Sequence, residues 1–198
     1  KEKGKIVVTT NYNRRMSFAP SPVVNEDNTV TFNLNAPNAK NVQINAQFAE
    51  RQNMDKNADG IWTITLGPVA ADIYPYSFIV DGVTIMDPQN PEWFPNEKFK
   101  NSLVEVRGKE PLNHEVTNVL HGSVDYTLYY SKTLGMYAPV MVYTPPCYDQ
   151  SKKNYPVFYL ISGTTDTEET FFKVGRVNFI LDNLIAQGKA KEMIIVMP

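Results

Sequence analysis

From Ser17 to about Val106 apolar and polar positions alternate with a period of two. Val30, Phe32 and Leu34 keep one parity, as do Val42, Ile44 and Ala46, and then Trp62, Ile64 and Leu66. That period places successive side chains on opposite faces of a half-buried strand. Turn-forming residues separate the runs: Asn25-Glu26-Asp27-Asn28, Pro37-Asn38, Asp59-Gly60, Asp81-Gly82 and Pro88-Gln89-Asn90. Five to seven short strands at this spacing predict an all-β sandwich over residues 17–106, preceded by an extension over 1–16.

The pattern lapses over residues 107–120, where Gly108, Pro111 and mixed charge mark a linker. A second module begins at His121. Val124, Tyr126, Leu128 and Tyr130 alternate, a turn falls at Lys132 to Gly135, and Val140 to Tyr143 returns as the second strand of a hairpin. Pro156 to Ile161 is a continuous apolar run, the signature of a strand buried on both faces of a parallel sheet. Thr167, followed by Glu168 and Glu169, signals a helix start. Val177, Ile180, Leu181, Leu184 and Ile185 have helical spacing and Gly188 ends the run. Met193 to Met197 predicts a further strand, left as a long apolar edge. Strand, strand, strand, helix, strand is the opening of a mixed α/β sheet.

Composition narrows the partners. With 19 basic and 21 acidic residues the net charge is -2, so no strong field attracts nucleic acid or anionic lipid. No apolar run is long enough for a membrane helix. The single cysteine, Cys147, excludes an internal disulfide and offers no metal cluster. Asp55-Lys56-Asn57-Ala58-Asp59-Gly60 imitates the start of a calcium loop, but Leu66 stands where the bidentate Glu belongs, so a hairpin turn is the simpler reading. No cofactor or metal is expected.

The string His121-Gly122-Ser123-Val124, Tyr143-Thr144-Pro145-Pro146-Cys147-Tyr148-Asp149, Tyr155-Pro156-Val157-Phe158-Tyr159-Leu160, Ile180-Leu181-Asp182-Asn183-Leu184-Ile185 and Ile194-Ile195-Val196-Met197-Pro198 resembles carbohydrate esterase family 1, which includes bacterial feruloyl and acetyl xylan esterases. Asp59-Gly60-Ile61-Trp62, Tyr74-Pro75-Tyr76-Ser77-Phe78, Val80-Asp81-Gly82 and Asp87-Pro88-Gln89-Asn90 look like the immunoglobulin-like domain of family-48 carbohydrate-binding modules. Together the two resemblances imply a sandwich in front of the first half of an α/β-hydrolase domain, residues 121–198. They also imply a secreted, periplasmic or cell-surface protein acting on feruloylated or acetylated xylan of the plant cell wall. This chain departs from the family in carrying Ser162-Gly163 for His-Gly and Cys147 for Gly.

Ester hydrolysis on this fold needs a serine in G-x-S-x-G, a histidine base and an acid that orients it. No serine here has glycines at both flanking positions, and neither His114 nor His121 falls where the base belongs. The triad is therefore expected beyond residue 198, in the remainder of the esterase domain, and this chain alone is expected to be inactive. What it offers is the loop after the third strand, where the resemblance places one oxyanion N–H: Thr164 is the candidate donor and Gly163 permits close backbone approach. Trp62, Tyr74, Tyr76 and Trp93 are candidates for stacking on sugar rings, against the alternative that sandwich aromatics pack in the core. Two rival functions stand beside the xylan esterase: an enterochelin-type siderophore esterase, and a noncatalytic glycan-binding protein.

Overall fold

The computed structural model describes residues 19–198. The extension over 1–16 and Ser17 lie outside the described residues. Nine short strands come first: β1 (Val23–Val24), β2 (Val30–Asn35), β3 (Val42–Ala46), β4 (Gln52–Asn53), β5 (Asp55–Lys56), β6 (Ile61–Leu66), β7 (Asp72–Val80), β8 (Val83–Ile85) and β9 (Ser102–Val106). One sheet runs β1-β2-β6-β5. The other runs β4-β3-β7-β8, with β9 also paired to β7. All of these pairings are antiparallel.

The alternation read from the sequence becomes the core between these sheets. Val30, Phe32 and Leu34 of β2 meet Val42, Ile44 and Ala46 of β3, with Trp62, Leu66, Tyr76, Phe78, Val104 and Val106 completing the cluster. Residues of one parity on facing strands have nowhere else to bury their area, and removing it from water is the main force holding the two sheets together.

The second part is a mixed sheet. β10 (Ser123–Ser131) and β11 (Met136–Thr144) form a nine-pair hairpin, and a single 3-10 turn (Tyr148–Gln150) leads to β12 (Val157–Tyr159). Then come α1 (Thr170–Lys173), α2 (Val177–Ala186) and β13 (Ile194–Met197). The strand order is β10-β11-β13-β12, with β12 and β13 parallel. Helix α2 ends in a Schellman closure: Gly188, at φ +69°, donates to the Ile185 carbonyl and Lys189 to that of Leu184.

Three expectations change here. The strand at Met193 to Met197 is no edge, because the crossover through α1 and α2 inserts β13 between β11 and β12, where both of its hydrogen-bonding sides are used. Among the described residues the edges of this sheet are β10 and β12. The apolar run Pro156 to Ile161 predicts a strand buried on both faces, yet Val157–Tyr159 are all exposed. The helices cover Tyr143, Ile195 and Met197 on β11 and β13, but none of Val157, Phe158 or Tyr159 joins that cluster, not even Phe158, the register partner of Ile195. The helix signalled at Thr167 starts at Thr170, after a turn in which the Thr170 N–H donates to the Thr167 carbonyl and the Thr170 hydroxyl accepts from the Thr167 N–H, each at 3.1 Å.

The stretch 107–120 has neither strand nor helix, but it is no loose tether. Asn183 of α2 donates to the carbonyls of Asn113 (2.8 Å) and Glu115 (2.9 Å) and accepts from Thr117, so the segment is laid along the helix.

Candidate functional site

Beyond β12 the Leu160 N–H still reaches the Val196 carbonyl at 2.9 Å, which carries the parallel pairing one residue further. The chain then leaves the sheet through Ser162-Gly163-Thr164-Thr165-Asp166 and turns back where the Asp166 N–H meets the Gly163 carbonyl at 3.1 Å. A Cβ at Gly163 would stand 3.3 Å from the Asp166 carboxylate, a close contact that a small shift of that side chain would relieve. Thr165 sits at φ +95°. For a β-branched residue that is a strained conformation, costing on the order of 1–3 kcal/mol, and it persists only where neighbours hold it.

Those neighbours belong to the sandwich. Asn96, 3% exposed, donates from its amide to the Thr165 hydroxyl at 3.0 Å and to the Asp166 carboxylate at 2.9 Å. Its oxygen accepts from the N–H groups of Lys98 (2.9 Å) and Phe99 (3.1 Å), locking the amide in place. Next to it the Glu97 N–H donates to the Thr165 carbonyl at 2.8 Å. Helix α1 is bound to the same side, with the Thr170 hydroxyl on the Pro95 carbonyl at 3.0 Å and the Lys173 ammonium 4.1 Å from the ring centre of Trp93. Arg176 pairs with Glu105 at 3.0 Å. Thr164, at the tip, is exposed, and no hydrogen bond among the described residues engages its N–H.

Three of the four aromatic candidates, Trp62, Tyr74 and Tyr76, come together in or against the sandwich core, apart from Trp93. Trp62 is in the core with its indole N–H on the Ala36 carbonyl at 2.9 Å. Tyr76 is fully buried, its hydroxyl donating to Asp87 at 2.8 Å, and burial together with the Asp87 charge pushes its ionisation well above the ordinary range. Tyr74 is half-buried, edge-on to Phe48, with its hydroxyl on the Ala70 carbonyl. Trp62 and Tyr76 present no free ring face, and Trp93 shares its face with Lys173. Asp55 to Gly60 closes the β5–β6 hairpin, where the Asn57 side chain accepts from the N–H groups of Asp59 and Ile61.

A cluster that sequence reasoning missed lies under the hairpin. Asp182, buried in α2, accepts from the Tyr143 hydroxyl at 2.6 Å and from the Gly122 N–H at 3.0 Å, and it faces His121 Nδ1 at 2.9 Å. The far nitrogen of His121 meets the Thr117 carbonyl at 3.0 Å. The arrangement is structural: it ties the start of β10, the end of β11 and α2 to one carboxylate. The signal for it was an Asp-Asn pair set inside the apolar stripe Ile180 to Ile185. Cys147 is likewise explained, since it adopts φ +62°, a conformation glycine takes without strain.

In fold the chain is similar to esterases of the enterobactin type. The enterobactin esterase FES of Shigella flexneri superposes over 85% of this chain and 52% of its own, with a TM-score of 0.60 at 18% identity. The ferric enterobactin esterase of Salmonella typhimurium superposes over 89% of this chain and 55% of its own, at 0.53 and 17%. In sequence, residues 131–198 match the esterase family described as "Putative esterase". An endo-1,4-beta-xylanase/feruloyl esterase of Xylanibacter ruminicola is 29% identical over 184 residues, which is 89% of this chain and 25% of the relative. The chain thus spans a quarter of that relative's length and about half of the enterobactin esterases'.

Proposed function

We propose that this chain is the N-terminal portion of a carboxylic ester hydrolase that removes feruloyl groups, or alternatively acetyl groups, from plant cell-wall arabinoxylan. In this reading β1–β9 form an immunoglobulin-like sandwich similar to family-48 carbohydrate-binding modules. Strands β10–β13 open an α/β-hydrolase sheet, and a Ser-His-Asp triad follows residue 198. The observation that carries it is the similarity to the xylanase/feruloyl esterase, which runs through both the sandwich and the mixed sheet. The chain's own chemical contribution is the Thr164 N–H, unengaged at the tip of the loop after β12, as one of two donors to the oxyanion of the tetrahedral intermediate. Secretion to the periplasm, cell surface or medium follows from a polymeric substrate.

A second reading, a siderophore esterase, draws on the fold likeness to the enterobactin enzymes. One experiment separates them: the full-length protein is offered methyl ferulate, acetylated xylan and enterobactin. Turnover of the feruloyl or acetyl substrates supports the first reading, turnover of enterobactin alone supports the second, and no hydrolysis of any of them rejects both.

A further inference from the structure

We propose that the sandwich acts as a positioning element for ester hydrolysis, with Asn96 fixing the loop that presents the Thr164 N–H. The proposal rests on the reading of that loop as the oxyanion loop given above. An oxyanion donor works only if it is held at hydrogen-bond distance from where charge develops, without reorganising at the moment of reaction. Between Tyr159 and Thr170 the chain has no strand or helix to hold it. From its own module the loop receives the Leu160–Val196 hydrogen bond before the turn and the Gly163–Asp166 bond within it. The residue that follows Thr164 is the strained Thr165, and the groups that hold Thr165 come from the sandwich: the Asn96 amide on its hydroxyl and the Glu97 N–H on its carbonyl. Asn96 also grips the next residue, Asp166.

Asn96 uses its two side-chain ends differently, which makes the idea testable. Its oxygen shapes the sandwich's own turn through Lys98 and Phe99 and takes a longer bond from the Thr165 hydroxyl at 3.3 Å, whereas its amide nitrogen donates across to both Thr165 and Asp166. Asn96→Asp keeps an acceptor for the turn, removes both donors, and sets a carboxylate against Asp166.

In the full-length esterase we expect Asn96→Asp to stay folded at assay temperature, with a lower melting temperature because its buried carboxylate faces that of Asp166, and to exchange backbone hydrogens faster across residues 160–169. We expect kcat on methyl ferulate to fall about tenfold or more, with KM changed by no more than about twofold, because the oxyanion donor acts in the transition state. Affinity for a boronic acid that mimics the tetrahedral intermediate should fall in parallel with kcat. Asn96→Ala should show the same loss together with a lower melting temperature. Unchanged exchange in the loop, or faster exchange with kcat and boronate affinity intact, overturns the proposal while leaving the esterase reading in place. A parent protein that hydrolyses no ester sinks that reading and the catalytic role of Asn96 with it.

Discussion

The hydroxyl of Tyr143 donates to the carboxylate of Asp182 at 2.6 Å, and both residues are buried. A phenol near the end of β11 is thereby fixed to the middle of α2, with Gly122 and His121 sharing the same carboxylate. Removing the hydroxyl in Tyr143→Phe should cost about 1.5–3 kcal/mol, the range for a hydrogen bond to a carboxylate. Removing the acceptor in Asp182→Ala should cost more, about 3–5 kcal/mol, because several donors are stranded. Urea unfolding monitored at both modules measures this, and a Tyr143→Phe midpoint equal to the parent's would contradict it.

Alkaline stability should carry the mark of two tyrosines. Burial, reinforced by Asp182, raises the Tyr143 phenol above its ordinary value of 10.0, and burial together with the Asp87 charge does the same for Tyr76. Since folding favours the protonated phenols, their contribution is fully present below pH about 10 and is lost as pH rises above it. The melting temperature should fall between pH about 10 and 12, and a Tyr76→Phe/Tyr143→Phe double variant should fall less steeply over that window. Equal slopes would count against the assignment.

Cys147→Gly should stabilise the protein by about 0.5–1 kcal/mol. A non-glycine residue in the left-handed region carries about 1–2 kcal/mol of strain, partly offset by the greater backbone entropy glycine loses on folding. A lower melting temperature for the glycine variant would show that the thiol packs more usefully than its exposed position suggests.

The two tryptophans should separate cleanly. Trp62→Ala empties a core site and should cost about 3–5 kcal/mol, while Trp93→Ala loses partial packing and the Lys173 contact, about 1 kcal/mol. Retention on insoluble xylan is the functional counterpart: if the sandwich grips glycan through Trp93, folded Trp93→Ala protein elutes early, and unchanged retention excludes that ring.

Residues 121–198 expressed alone should be insoluble, whereas 15–107 should fold. The former leaves Val157, Phe158, Tyr159 and Ile161 at the β12 edge exposed, and it lacks the sandwich groups that hold Thr165 and Thr170. A soluble, cooperatively melting 121–198 fragment would refute this.

The sandwich was legible because its strands are decided locally. Val30, Phe32 and Leu34 need only a two-residue period and a buried face, and the five helical apolar positions from Val177 to Ile185 are equally self-sufficient. What escaped depends on partners distant in sequence. Nothing near Met193 to Met197 says whether that strand is an edge, since its place is set by a crossover and by β11. Tyr76 reads as a sugar platform until Asp87 is found beneath its hydroxyl. Asn96 carries no local pattern at all: its importance comes from Thr165 and Asp166, about seventy residues away. The resemblance points to the loop that begins Ser162-Gly163-Thr164-Thr165, but the left-handed φ of Thr165 and its bonds to Asn96 and Glu97 depend on residues far away in sequence.

The strand order β10-β11-β13-β12 has a consequence for synthesis on the ribosome. β12 is synthesised before the strand that will lie between it and the hairpin, and translating the intervening helices takes on the order of seconds. Through that interval Val157–Tyr159 is a nascent apolar segment whose sheet neighbour does not yet exist, and the groups that fix the loop and helix after it, Asn96 and Pro95, belong to chain already synthesised.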